Sequence, residues 1–277
     1  MRNLILNADD YGLTRGVSQG IRFAYSSGVL SSTTAMVTIA GALRGLEVAI
    51  RDTPALPIGV HLTLTAGKPV SSPQAVPSLV DAEGRFFPRD SFLQRLDDIA
   101  AEEAGLEFRA QIEALRTLGI SPDHLDSHHF VSYLSPQLLE QMLLLAEEFH
   151  LAVRPPAGID AEMKDLFPGL PGSALAFLQG GAQEILRRSG IPTANRLYLT
   201  FYNNTATRKN LHGIVCDLPE GVSEIMCHPG ITDADLREVS DYAEERGEEL
   251  AVLTESGLPQ LLQAQGVQLT RYSQLAA

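Results

Sequence analysis

The sequence contains no tryptophan, and tyrosine and phenylalanine together raise its aromatic share to only 6%. Modules that hold sugars without transforming them lean on aromatic platforms, so this scarcity argues against pure sugar binding. Cysteine is nearly absent too. Cys216 and Cys227 are far from forming a Cys-x-x-Cys pair, which excludes a disulfide framework. Positive charge is in short supply: 21 Lys and Arg face 34 Asp and Glu, for a formal charge of −13. That balance argues against nucleic acid or an anionic membrane as a partner and suits a neutral or cationic small molecule. No apolar run approaches the roughly 20 residues needed to cross a bilayer. A single Arg precedes the first strand and no signal-peptide core follows it, so a cytoplasmic protein is expected. Nothing resembling a repeat or linker divides the chain, and one domain over 1–277 is expected, with 44% hydrophobic residues to fill its core.

What is present begins with Leu4-Ile5-Leu6-Asn7-Ala8-Asp9-Asp10-Tyr11-Gly12. The apolar run predicts a strand buried on both faces, and it ends in two adjacent carboxylates. In α/β proteins the carboxyl ends of strands are where ligands and catalysts sit. Two acids there repel one another, and a cation would relieve them. A capped turn before Leu13-Thr14-Arg15 is the simpler alternative for the pair taken alone. Downstream, Val17, Ile21 and Ala24 give helical spacing over 14–27. Segments 31–37 and 58–65 are β-prone, with a helix expected between them over 42–50. The resulting β-α-β-α-β order predicts a parallel sheet or barrel. The Pro-, Ser- and Gly-rich stretch 68–90 is too long for a simple turn and is expected to wall the site. Periodicity over 92–118 predicts one long helix, or two broken near Gly105. A helix over 135–150 and a strand over 151–154 follow. Segment 155–181 is expected to carry short helices and substrate-facing loop. Further strands are expected over 196–201, 222–226 and 267–269, with helices over 183–189, 242–253 and 258–264.

The polar residues fall where chemistry would need them. Asp9 and Asp10, His61, Asp126 with His128 and His129, and His228 each follow a predicted strand or a short turn of one. In a barrel such positions converge at one mouth. Two imidazoles and a carboxylate make a ligand set for a divalent ion, a spare carboxylate can act as base and a further His as acid. Taken singly, His61 could be a core histidine and His228 a polar turn residue. His128 and His129, if both lie on a strand, point to opposite faces, so at most one should face the mouth. His124, His150 and His212 are expected at the surface or in packing. Arg154 could snorkel at the core edge or serve as counter-ion to the opening aspartates. Cys227 is expected to be a small buried residue rather than a nucleophile.

Five segments carry a resemblance: Asn7-Ala8-Asp9-Asp10-Tyr11-Gly12, Ser32-Thr33-Thr34, Gly59-Val60-His61-Leu62, His124-Leu125-Asp126-Ser127-His128-His129 and Met226-Cys227-His228-Pro229. In order and spacing they resemble the YdjC-like carbohydrate deacetylases, the chitooligosaccharide (diacetylchitobiose) deacetylases most of all. The resemblance implies an α/β fold, a distorted (β/α) barrel of the glycoside hydrolase/deacetylase type. It implies removal of an N-acetyl group from an amino sugar or short oligosaccharide, with a divalent metal, Mg2+ first and Zn2+ or another ion next, and a homodimer. Carried over by position, it implies Asp10, His61 and His128 as metal ligands, Asp9 as base, His228 as acid and Arg154 as the group that steadies the base. Relatives often continue the histidine run where Phe130 and Ser132 stand here, which bears on sugar specificity.

Two other classes compete. A barrel glycosidase would need a second carboxylate across the sugar from Asp9 or Asp10, and none is evident at another strand end. A phosphoesterase would call for a two-metal cluster or a phosphate-cradling glycine loop, and no such loop occurs in the sequence. A non-catalytic sugar-binding homologue is the third possibility.

Overall fold

The computed structural model of the chain describes residues 1–156 and 168–275. Every strand pairing among them is parallel. The strands are β1 (Arg2–Tyr11), β2 (Ser32–Ala35), β3 (Ile58–Leu62), β4 (His124–Ser127), β5 (Ala152–Val153), β6 (Arg196–Tyr198), β7 (Gly221–Cys227) and β8 (Val267–Leu269). Their order is β5-β4-β3-β2-β1-β7-β6, with β8 on the lower part of β1. The sheet curls until its two outer strands approach. There the Val153 amide donates to the Pro192 carbonyl at 2.9 Å in place of a strand ladder. The expected distorted barrel is thus a curled parallel sheet with one seam.

Helices pack on its outside because a parallel strand needs a helical return. They are α1 (Arg15–Ser26), α2 (Ala42–Asp52), α3 (Arg89–Gln94), α4 (Ala101–Thr117), α5 (Pro136–Phe149), α6 (Gly172–Ala176), α7 (Ala182–Ser189), α8 (Arg208–Cys216), α9 (Ala234–Val239), α10 (Glu244–Leu253) and α11 (Leu258–Ala264). Thr14 caps α1 and Ser135 caps α5, each accepting a backbone amide, with Pro136 in the first turn of α5. Leu4, Leu6 and Ala8 face these helices and join the main core with Val17, Ile21 and Leu46. The intervening Ile5 belongs to a separate apolar cluster with Ala152 and Tyr272. The period of two thus divides β1 between an outer core and the barrel interior. Among the described residues no helix is long and apolar enough to cross a membrane.

Two expectations change. The helical stretch predicted over 92–118 breaks over 95–100, not at Gly105. Gly105 stays within α4 because its missing Cβ makes room for Gln141 of α5, whose Oε1 would lie 2.1 Å from such an atom. The long stretch 68–90 is mostly tied down away from the barrel mouth. Buried Glu107 of α4 accepts the Val70 and Ser71 amides, and Glu103 accepts that of Ser78. Only its last residues, Pro88, Arg89 and Asp90, reach the mouth. Of the region expected to shape the pocket over 155–181, residues 157–167 lie outside the described residues, and Pro168 lines the pocket. Helices α8 and α9 were not anticipated.

Candidate active site

The interior of the barrel is polar, and strand parity explains it. Inward positions are Ile5, Asn7 and Asp9 on β1, Thr34 on β2, Gly59 and His61 on β3, and His124 and Asp126 on β4. Arg154 lies just past β5, and Glu224 on β7. Packing sets the residue types. At Gly59 a Cβ would lie 2.4 Å from the His124 ring, so the glycine leaves room for that imidazole.

Asp9 and Asp10 are neighbours, and a regular strand would send them to opposite faces. The strand is not regular there. Between Ala8 and Tyr11 the register against β2 shifts, and Asp10 adopts φ 70, in the left-handed region. A bulge of this kind re-aims a side chain, and it brings both carboxylates to the pocket. His129 and Phe130 also have left-handed φ, 53 and 57. Such conformations are costly for bulky residues and cluster at functional sites. They overturn the expectation that only one of His128 and His129 faces the mouth. The chain leaves the strand at Ser127, alternation no longer applies, and both rings line the pocket, 3.8 Å apart.

Three ligand atoms converge. His61 Nε2 lies 3.2 Å from Asp10 Oδ1, His128 Nδ1 lies 3.0 Å from the same oxygen, and the two nitrogens are 3.3 Å apart. Donors around one ion with bonds of about 2.1 Å stand roughly 3.0–3.4 Å apart, so the trio is spaced to share a cation. Asp10 Oδ1 is buried, with the two imidazole nitrogens as its neighbours and no hydrogen bond of regular geometry to it. The other side of each ligand is held. Asp126 Oδ1 takes His61 Nδ1 at 2.6 Å, leaving Nε2 to face Asp10, and Thr34 donates to Asp126 Oδ2 at 3.0 Å. Carboxylate–histidine pairs of this kind orient metal-binding imidazoles. A second trio, Asp9, His61 and Asp126, also brings its ligand atoms within 4.8 Å of one another, but its carboxylates are already engaged by Arg154 and Thr34.

Arg154 is fully buried. Its Nη1 and Nη2 each donate at 2.6 Å to the two oxygens of Asp9, Nη1 also lies 2.9 Å from Asp126 Oδ2, and Nε donates to Glu224 Oε1 at 2.8 Å. Of the two alternatives for this residue, the structure has the counter-ion and not the snorkelling chain. Burial works against ionisation of Asp9, and Arg154 more than offsets it, taking the carboxyl down to about 2. Arg246 of α10 donates from Nη2 to Asp10 Oδ2 at 2.5 Å. Four buried carboxylates, Asp9, Asp10, Asp126 and Glu224, thus meet two guanidiniums. The excess of negative charge calls for a cation. Although burial alone would lower it, His61 is driven up to about 10 by Asp126, Asp10 and Asp9. A divalent ion at the trio would supply the charge that a proton on His61 otherwise supplies.

His228 closes the other side. Its backbone amide donates to Glu249 Oε2 at 2.5 Å, and the Gly230 amide that follows donates to the Arg246 carbonyl. Helix α1 holds the same turn at backbone distance: a Cβ on Gly20 would stand 2.7 Å from Gly230 Cα. Burial pushes the imidazole down to about 4, so it is neutral near pH 7. Its Nδ1 is buried without a hydrogen bond, Glu249 Oε1 standing 3.9 Å away. Tyr202 and Tyr242 stack on each other at 4.4 Å and meet the His228 ring edge-on. Both tyrosines line the same cavity of about 650 Å³ as Asp9, Asp10, His61, His128 and His228.

A family model described as YdjC-like protein matches residues 3–264. The chain belongs to the YdjC-like family. A carbohydrate deacetylase of Thermoanaerobacter pseudethanolicus is 34% identical over 273 residues, 99% of each protein. One from Brevibacillus brevis is 37% identical over 273 residues, 98% of this chain and 99% of that protein. A solved structure from Enterococcus faecalis V583, described as a candidate cellobiose-phosphate cleavage protein, superimposes with a TM-score of 0.84 at 34% identity. It covers 100% of this chain and 99% of that one.

All six residues singled out in the sequence surround this one YdjC-like pocket or lie directly beneath it. Other residues of the site carry weaker signals in the sequence. Glu224 is a lone charge in an apolar strand, a signal that was readable. Arg246, Glu249 and Tyr242 belong to a Glu-rich segment that looks like a solvated surface. Among the remaining histidines, His124 is a packing residue, stacked on Tyr272 at 3.8 Å and bonded to Asp123, as expected. Cys227 is likewise a buried packing residue, its thiol donating to the Asn7 carbonyl. Phe130 lines the pocket, whereas Ser132 turns away to bond Ser127.

Proposed function

We propose that this YdjC-like protein is a carbohydrate N-deacetylase that hydrolyses the acetamide of an amino sugar or short oligosaccharide to acetate and a free amine. The observation that carries the proposal is the convergence of Asp10 Oδ1, His61 Nε2 and His128 Nδ1 beside Asp9 and His228 in one pocket. The names of its relatives support the substrate class.

In this proposal Asp10, His61 and His128 hold a divalent ion, which when bound polarises the amide carbonyl and acidifies water. The resemblance points to Mg2+, whereas two imidazoles suit Zn2+ and similar ions better than an ion that prefers oxygen ligands. Asp9 takes the proton from the attacking water. Arg154 keeps it ionised and fixes its plane, so the base is poised without reorganisation. His228 faces the leaving nitrogen. It rests neutral, and the negative charge that develops on the substrate raises its proton affinity, so the proton that Asp9 takes from water can pass through it to the departing amine. Tyr202 and Tyr242 offer a small aromatic wall against the apolar face of a sugar.

The rival hydrolases fit less well. A glycosidic bond is cleaved between two carboxylates set on either side of it, whereas Asp9 and Asp10 are chain neighbours at the end of one strand, and Asp10 is held by Arg246 and faces the two imidazoles. A cytoplasmic location agrees with the two free cysteines and the acidic composition. One hydrophobic core spanning most of the chain agrees with a single domain over 1–277.

The test is acetate release from a panel of N-acetylated mono- and oligosaccharides, with and without a chelator, alongside phosphate release and sugar-chain cleavage. Chelator-sensitive acetate release is expected. Phosphate release or chain cleavage without acetate would overturn the assignment.

A further inference from the structure

Behind Asp9 the barrel interior continues as a chain of contacts to the end of the described protein. Arg154 holds Asp9 with its two terminal nitrogens and turns its Nε to Glu224 Oε1. The other oxygen of Glu224 accepts a hydrogen bond from the hydroxyl of Tyr272. Tyr272 comes from a single turn after β8 and is 1% exposed. Its ring packs with Ile5 and Ala152 and lies parallel to the His124 imidazole, at 3.8 Å and 11°. The next residue is fastened as well, the Ser273 amide donating to Asp123 Oδ2 at 3.2 Å. The turn therefore plugs the floor of the barrel and places one hydroxyl against the carboxylate that steers Arg154.

We infer that Tyr272 is a positioning residue for the deacetylation, acting through Glu224 and Arg154 on Asp9. The inference rests on the reading of Asp9 as base. A guanidinium has a fixed plane, so fixing its Nε edge fixes the two nitrogens that meet Asp9. The groups facing Glu224 are Arg154 from the end of β5, Tyr272 below, His124 from β4 and Asp9 from β1. Burial raises its pKa, and the Tyr272 hydroxyl and Arg154 oppose the rise. Ionised, Glu224 accepts from both Tyr272 and Arg154. Protonated, it loses its pull on Nε, and the guanidinium is held on one side only.

Tyr272→Phe keeps the ring, its stacking on His124 and the floor of the barrel, and removes only the donor. Its kcat should fall about 10- to 100-fold, the usual effect of removing an outer support of a site, with KM and melting temperature close to wild type. Without the donor Glu224 binds its proton more tightly, so the acid limb of kcat should move to higher pH by about one to two units. Glu224→Gln, which accepts no proton in that range, should be slow and should lack that shift. Unchanged kcat and an unmoved limb in Tyr272→Phe would overturn the inference. So would a loss of rate that comes with a fall in melting temperature and no change in the pH profile. Asp9→Asn, assayed beside them, separates the two levels. If it is inactive while Tyr272→Phe is normal, only the role of Tyr272 fails. If it is fully active, the reading of Asp9 itself fails.

Discussion

Arg246 and Asp10 lie 236 positions apart in sequence and 2.5 Å apart in space, Nη2 to Oδ2. The bond occupies one oxygen of Asp10 and leaves Oδ1 as the atom that faces His61 and His128. Arg246→Met should leave the buried Asp10 carboxylate without its guanidinium and cost about 3–5 kcal/mol of stability in the metal-free protein. Urea unfolding with and without added divalent ion checks this, because the ion should restore much of the loss. Equal midpoints for variant and wild type without metal would refute it.

His61→Ala or His128→Ala should abolish divalent-ion binding and acetate release together, since each removes one of three converging donors. Calorimetric titration with Zn2+ and Mg2+ reads the first, and an acetate assay the second. A variant that bound the ion at wild-type affinity would show that the trio is not the metal site.

Asp9→Asn should reduce kcat by about 10²–10⁴-fold, the usual worth of a positioned base, while metal binding and KM change little. Parallel steady-state kinetics and metal titration separate this from a ligand role. If affinity for the ion collapsed along with the rate, Asp9 and Asp10 would have to exchange assignments.

Burial pushes Glu249 up to about 8 from its ordinary 4.5, against the lowering pull of the Tyr242 hydroxyl, the His228 amide and Arg246. The folded protein therefore holds a proton that the unfolded chain has released between those two values. Stability that is present below pH 4.5 is lost as the pH rises towards about 8. Melting temperatures measured from pH 5 to pH 8.5 should fall for the wild type and fall less for Glu249→Gln. Identical slopes would show that Glu249 is ionised throughout.

Much of the fold could be read from the sequence because parallel strands buried on both faces leave short apolar runs ending in polar clusters. The strands that begin near Leu4, Ile58 and Val222 and the helices after Thr14 and Ser135 all lie where patterning places them. Within 92–118 a glycine reads as an interruption in sequence, yet Gly105 lies inside α4, where it serves the approach of a neighbouring helix, and the chain breaks earlier, over 95–100. The short helices α8 and α9 lack a long period to reveal them. For the pocket, each strand-end residue was readable because strand ends share one side of a parallel sheet. Asp126 was seen but not given its part, since its bond to His61 depends on strand pairing rather than spacing. Arg246 was invisible for a different reason: one arginine in a helix full of glutamates reads as surface until the helix is docked.

The pairing of the first strand has a consequence for how the protein is made. β1 is flanked by β7 along one edge and by β8 low on the other, and its acids reach Arg154 and Arg246. A ribosome delivers Asp10 236 residues before Arg246, and Tyr272 later still. Until then the opening strand lacks β7 and β8, and Asp10 lacks the guanidinium that holds it. Contacts so distant in sequence are slow to form and leave early segments exposed to aggregation. The pocket is therefore completed only once α10 has been made and docked, since Arg246 and Glu249 come from it.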